Sequence, residues 1–150
     1  AGALNLIEAN WSDDSRAVFV NTSDGGDAGT WTTHVFVFDD GDSIHELPVE
    51  KTIVAATKLK SDCIHNVGAA AWLEGHKQLL VVEQVPVSGC ADGGATAGYV
   101  LDTANGTIAR TLTAKELKSD YAKYLGESPK ANMVVVADKP DPKEKKSRKK

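Results

Sequence analysis

The 150-residue sequence predicts a mostly β domain of two antiparallel sheets with one C-terminal helix. Three observations carry that reading. A unit of strand, loop, strand, polar turn and strand occurs twice, at about residues 11–47 and 72–112, and self-similarity of this kind marks a repeated supersecondary unit. Residues 31–38 alternate with a period of two, Trp31, Thr33, Val35 and Val37 on one face and Thr32, His34, Phe36 and Phe38 on the other. Thr113 and Glu116 form a capping-box pattern ahead of an apolar stripe at helical spacing, Leu117, Tyr121, Tyr124 and Leu125.

Taken in order, Leu4, Leu6 and Ile7 suggest a short opening strand that leads to Trp11. Ser12-Asp13-Asp14-Ser15 is a turn cluster, because such short polar side chains hydrogen-bond their own backbone. Residues 17–20 are β-branched and aromatic and read as a strand packed on both faces. Residues 22–29 are polar and Gly-rich, a hairpin loop, and Asp40-Gly41 signals a tight turn before the strand that opens at Ile44. Residues 52–56, after Pro48, are rich in β-branched side chains and read as a strand. The unit then restarts at Trp72, with strands over 79–82 and 97–101, the turn Asp102-Thr103-Ala104-Asn105-Gly106 and a strand from Ile108. A helix is expected over 114–125, with Thr113 as N-cap, Leu112 stapled to Leu117, and Gly126 and Pro129 ending it. Residues 133–137 read as a last strand, so one domain spans 1–137 and a charged, disordered tail spans 138–150.

Composition bounds the function. Hydrophobic residues make up 41% and charged residues 25%, as in globular chains, and no apolar run approaches the roughly 20 residues of a membrane span. The net charge of −4 divides into +4 on residues 138–150 and −8 on the body. The basic tail has no aromatic residue to stack on a base, and an acidic body argues against nucleic acid and fits a basic protein partner. The opening Ala1-Gly2-Ala3 is what cleavage at a small-residue site leaves, as would trimming. Cys63 and Cys90 are either a disulfide or two buried thiols; Cys90 lies in a Gly-rich loop, where a free thiol would be exposed, so a disulfide is expected. It would contribute roughly 3 kcal/mol and place the chain in the periplasm or outside the cell.

Catalytic patterns are weak. His34, His45, His65 and His76 lack metal-ligand spacing, and the acidic groups at 24–27 and 39–42 read as turns rather than calcium loops, so no metal or cofactor is expected. No G-x-S-x-G elbow, dinucleotide fingerprint or P-loop occurs, and a Cys90 nucleophile would need a free thiol. Trp11 and Trp72, at equivalent repeat positions, are expected in the core rather than in a carbohydrate platform. The chain is expected to bind rather than catalyse.

Trp11-Ser12-Asp13-Asp14-Ser15-Arg16 resembles the Trp-Ser-Pro-Asp-Gly-Arg signature of TolB-like β-propeller blades, departing at the Pro and the Gly; in the second copy Trp72, the turn at Gly75 and Lys77 persist. The resemblance covers about two-thirds of the chain and implies two antiparallel blade-like sheets, an incomplete β-propeller, since propellers take 4–8 blades. Such a pair is an open assembly, part of a longer chain, or a homo-oligomer. Gln78-Leu79-Leu80-Val81-Val82-Glu83, the following Gly-rich loop with Ser88-Gly89, and Tyr99-Val100-Leu101-Asp102 are also similar to the periplasmic immunity proteins that neutralise peptidoglycan-amidase effectors of type VI secretion. That resemblance implies a protein partner, a secreted peptidoglycan hydrolase, whose active-site cleft is plugged by the loop. Ser88 would approach the catalytic histidine, and Val87, Gly89, Asp92, Gly93, Gly94 and Thr96 would supply further contacts; residues 24–30 are a second candidate loop. The alternative is an envelope scaffold or interaction module built from the same sheets.

Overall fold

In the computed structural model, residues 5–24, 30–40, 43–59, 62–86 and 90–125 are described. They form two four-stranded antiparallel meanders, each with its strands in sequence order. The first holds β1 (Asn5–Trp11), β2 (Ala17–Ser23), β3 (Trp31–Phe38) and β4 (Ile44–Leu47). The second holds β5 (Asn66–Trp72), β6 (Gln78–Gln84), β7 (Thr96–Asp102) and β8 (Thr107–Thr113). A helix, α1 (Val49–Ala56), links them; α2 (Ala114–Asp120) and a 3-10 turn (Ala122–Tyr124) follow the second. The two repeats are thus two blade-like sheets, and they do not close a ring.

The turn after Trp11 is set by one hydroxyl. Buried Ser12 Oγ accepts from the backbone N–H of Arg16 at 3.1 Å and of Ala17 at 2.9 Å, and donates to Asp14 Oδ1 at 2.7 Å. The chain reverses through a left-handed residue, Ser15 here and Gly75 in the second copy, both at φ 58°.

Four expectations change. Residues 52–56 lie in α1, not in a strand: Val49 and Ile53, four residues apart, are both buried in the core between the sheets, and that packing overrides β-branched propensity. Strand β2 buries Ala17 and Phe19 but leaves Val18 and Val20 half-buried, so one face is covered, not two. The helix expected over 114–125 stops at Tyr121 (φ −116°, ψ 7°) and tightens into the 3-10 turn. Its N-terminus is as expected, with both capping-box hydrogen bonds present and Leu112 and Leu117 packed in one cluster. Trp11 is 55% exposed rather than in the core, stacked on Phe38 at 5.4 Å. Gly126, Pro129, the strand expected over 133–137 and the tail fall outside the described residues.

The sheets pack together over a core that includes Phe19, Val35, Val37, Leu79, Val81, Tyr99 and Leu101. Polar clamps cross it. Asn21 donates from Nδ2 to Ala69 O at 2.8 Å and accepts from Ala69 N at 3.1 Å; Asn66 Oδ1 accepts from Trp31 N at 3.0 Å. Trp72 packs against this core, 5.9 Å from Phe19, and donates from Nε1 to Asn10 O at 3.1 Å. The two Trp turns also meet, His76 Nδ1 lying 2.5 Å from Asp14 Oδ2.

Trp11 pairs with Val18 and Trp72 with Leu79, so the repeats superpose in register at a spacing of 61 residues (72 minus 11). At that spacing the inward Phe19 of β2 corresponds to Leu80, which points outward; the inward Leu79 and Val81 correspond to Val18 and Val20, which point outward. The sheets are therefore stacked head to tail, each contributing a different face. The outward face of the second sheet, with Leu80, Val100 and Leu112, is covered by Leu117 and Leu125.

Candidate partner-binding loop and its anchor

Strands β6 and β7 end on the rung Gln84–Thr96, and the loop between them is closed at its base by three restraints. Val85 N donates to Ala95 O and Gly94 N donates to Val85 O, each at 2.9 Å, extending the ladder past the last paired residues. Ala95 N donates to Asp92 O and Gly93 N to Cys90 O, folding the returning arm into consecutive turns. Gly94 takes φ 84°, a conformation that favours glycine. The Cys63–Cys90 disulfide then ties this arm to the segment between α1 and β5.

That neighbouring segment is itself fixed from below. Glu83, fully buried on β6, receives three side chains: His65 Nδ1 lies 2.5 Å from Oε1, while the Thr57 hydroxyl at 2.8 Å and the Tyr99 hydroxyl at 2.7 Å donate to Oε2. Three partners satisfy a carboxylate that would otherwise be costly to bury. Burial, and then the hydrogen bond to Glu83, push the Tyr99 phenol up to about 12. Thr57 and His65 flank Cys63 in sequence, so one carboxylate positions both ends of the connector that carries the disulfide. The Glu83 cluster was not anticipated from sequence. Its signal was parity: Glu83 shares the inward face of Leu79 and Val81, where an acidic residue needs partners.

The predicted contact residues divide by role. Gly94 is buried and conformational, and Thr96 opens β7 with its hydroxyl buried. Asp92 and Gly93 are half-buried on the returning arm. Val87, Ser88 and Gly89 lie outside the described residues, between the fixed positions Pro86 and Cys90. In the second candidate loop Asp24 N donates to Thr30 O at 3.3 Å and Thr30 N donates to Asp24 Oδ1 at 3.0 Å; residues 25–29 lie outside the described residues.

Among the described residues each histidine lies beside a carboxylate: His34 with Glu46, His45 with Asp39, His65 with Glu83 and His76 with Asp14. The hydrogen bond with His76, followed by that from Ser12, holds the Asp14 carboxyl well below the usual range. Among the described residues no three His, Cys, Asp or Glu side chains gather as a metal site. The disulfide consumes both thiols, which removes the nucleophile that hydrolase chemistry at Cys90 would need. Among the described residues no helix is long and apolar enough to cross a membrane.

No protein-family model, curated protein or solved structure matches the chain.

Proposed function

We propose that this chain is a non-enzymatic inhibitor of the immunity type, acting in the periplasm or outside the cell. In this reading the β6–β7 loop enters the active-site cleft of a secreted peptidoglycan hydrolase and blocks it. One observation carries the reading: a Gly-rich loop closed at its base by ladder hydrogen bonds and by the Cys63–Cys90 disulfide. Fixing both arms before binding reduces the ordering cost that a free loop would incur, which is how a short segment reaches high affinity. The disulfide also fits an oxidising compartment. The resemblance of residues 78–102 to immunity proteins of peptidoglycan amidases supplies the class of partner.

A second reading, an envelope scaffold built from blade-like sheets, is favoured by the outer face of the first sheet, where Trp11 is exposed among the described residues. Affinity capture of the tagged chain from its source organism, followed by titration of any captured enzyme on dye-labelled peptidoglycan, separates the two. Inhibition at equal stoichiometry, lost on Ser88→Trp/Gly89→Trp with the fold intact, supports the inhibitor. Retention of no hydrolase, or a loop variant that inhibits as well as the parent, overturns it.

A further inference from the structure

The contact between the two sheets joins unlike faces, and a contact of that kind leaves one outer face at each end. One is the outer face of the first sheet: Val18, Val20 and Phe36 there stand in register with Leu79, Val81 and Leu101, which pack inward on the second. Trp11 stands where Trp72 stands, but Trp72 packs against the inter-sheet core and bonds Asn10 O while Trp11 is exposed. The other end is the outer face of the second sheet. Its Leu80 and Val100 stand in register with the inward Phe19 and Val35, so it carries the surface type that the first sheet offers to the second.

That second face is occupied by α2 and the 3-10 turn. The fit is specific: at Gly98 a Cβ would lie 2.6 Å from Leu117 Cδ2, so the helix sits where any larger side chain would hold it off. The corresponding position in the first sheet is Thr33, a β-branched residue facing the neighbouring sheet. Seven residues of helix are too few to be stable alone, so α2 exists there only while docked.

We propose that the outer face of the first sheet, uncovered among the described residues, is a docking surface for a second copy of this chain. It takes the outer face of that copy's second sheet, and α2 is an intramolecular cap competing for the same surface. In the docked pair Trp11 takes the role of Trp72, its indole N–H directed to the neighbour's Ala71 carbonyl, the counterpart of Asn10. Head-to-tail repetition of a two-sheet unit closes at about two to four copies, since rings of this type hold 4–8 sheets.

The test uses the full chain with two substitutions that dislodge α2 by different routes. Leu117→Asp removes the apolar anchor; Gly98→Thr fills the space beneath it and gives the second sheet the residue found in the first. Light scattering after size exclusion should give the parent a mass of 15.9 kDa and each variant about two to four times that. Amide exchange over residues 114–120 confirms that the helix has left, and tryptophan emission shifts to the blue as Trp11 is covered. Adding Trp11→Ser to either variant should restore the single-chain mass. A variant that releases α2 and stays a folded single chain overturns the proposal. So does assembly that survives Trp11→Ser, or a parent chain that assembles with α2 docked.

Discussion

Replacing Glu83 tests the anchor of the loop most directly. Glu83→Ala strips the acceptor from three groups: Tyr99, 2% exposed, the His65 side chain, 8% exposed, and the half-buried Thr57, which water can serve instead. Losing this buried acceptor costs each of the first two about 1–3 kcal/mol, and no longer having to bury the acidic side chain gives some of that back. The net expectation is a loss of about 3–4 kcal/mol, in the range seen when a buried pair is broken from one side. Glu83→Gln keeps the volume and one oxygen for Tyr99 and Thr57, and its amide can donate to a His65 ring protonated on Nε2, so about 1 kcal/mol is expected. Urea unfolding at neutral pH, with midpoints compared at an unchanged slope, reads both values. An alanine variant within about 1 kcal/mol of the parent, or a glutamine variant as unstable as the alanine one, would refute the reasoning that these hydrogen bonds hold the connector in place.

Other perturbations have defined outcomes. Cys63→Ser/Cys90→Ser opens a cross-link of 27 residues and should lower stability by about 3.5 kcal/mol on chain-entropy grounds, measured by the same unfolding assay without reductant. Tyr99 has its folded value raised from 10.0 to about 12, so the folded state keeps its proton longer than the unfolded chain does. Stability is unaffected below pH 10 and falls between pH 10 and 12 by at most about 2–3 kcal/mol; Tyr99→Phe should flatten that limb. Asp14 has a lowered folded value, so its contribution is present above the ordinary aspartate range and is lost as pH falls through the folded value. Asp14→Asn should therefore remove part of the acid-side decline in melting temperature, and an unchanged acid limb would show that the His76 contact adds no stability.

The sheets, the turns and the helix start were legible because each rests on local chemistry: Ser12 in its turn, alternation along β3, Thr113 and Glu116 at the cap. What failed depended on which neighbour covers which face. Residues 52–56 depart from the expected strand because β-branched residues also line a helix when Val49 and Ile53 meet a core. Trp11 departs from the core because equivalent repeat positions do not have equivalent surroundings: head-to-tail stacking gives Trp72 a neighbour and leaves Trp11 without that cover. The disulfide can be argued from the loop's glycines; for Glu83 parity shows only that partners are needed, not which, since they come from α1's end, the connector and β7.

The asparagine clamps carry a consequence for how the two halves come apart. The amide hydrogens of Ala69 and Trp31 are each held by a side chain of the opposite sheet, not by a neighbouring strand. Their exchange with deuterium therefore requires only that the sheets separate, while amides in the β6–β7 ladder, such as those of Leu79 and Val81, wait for that sheet to unravel. The chain thus contains its own pair of reporters for separation of its halves as distinct from global unfolding.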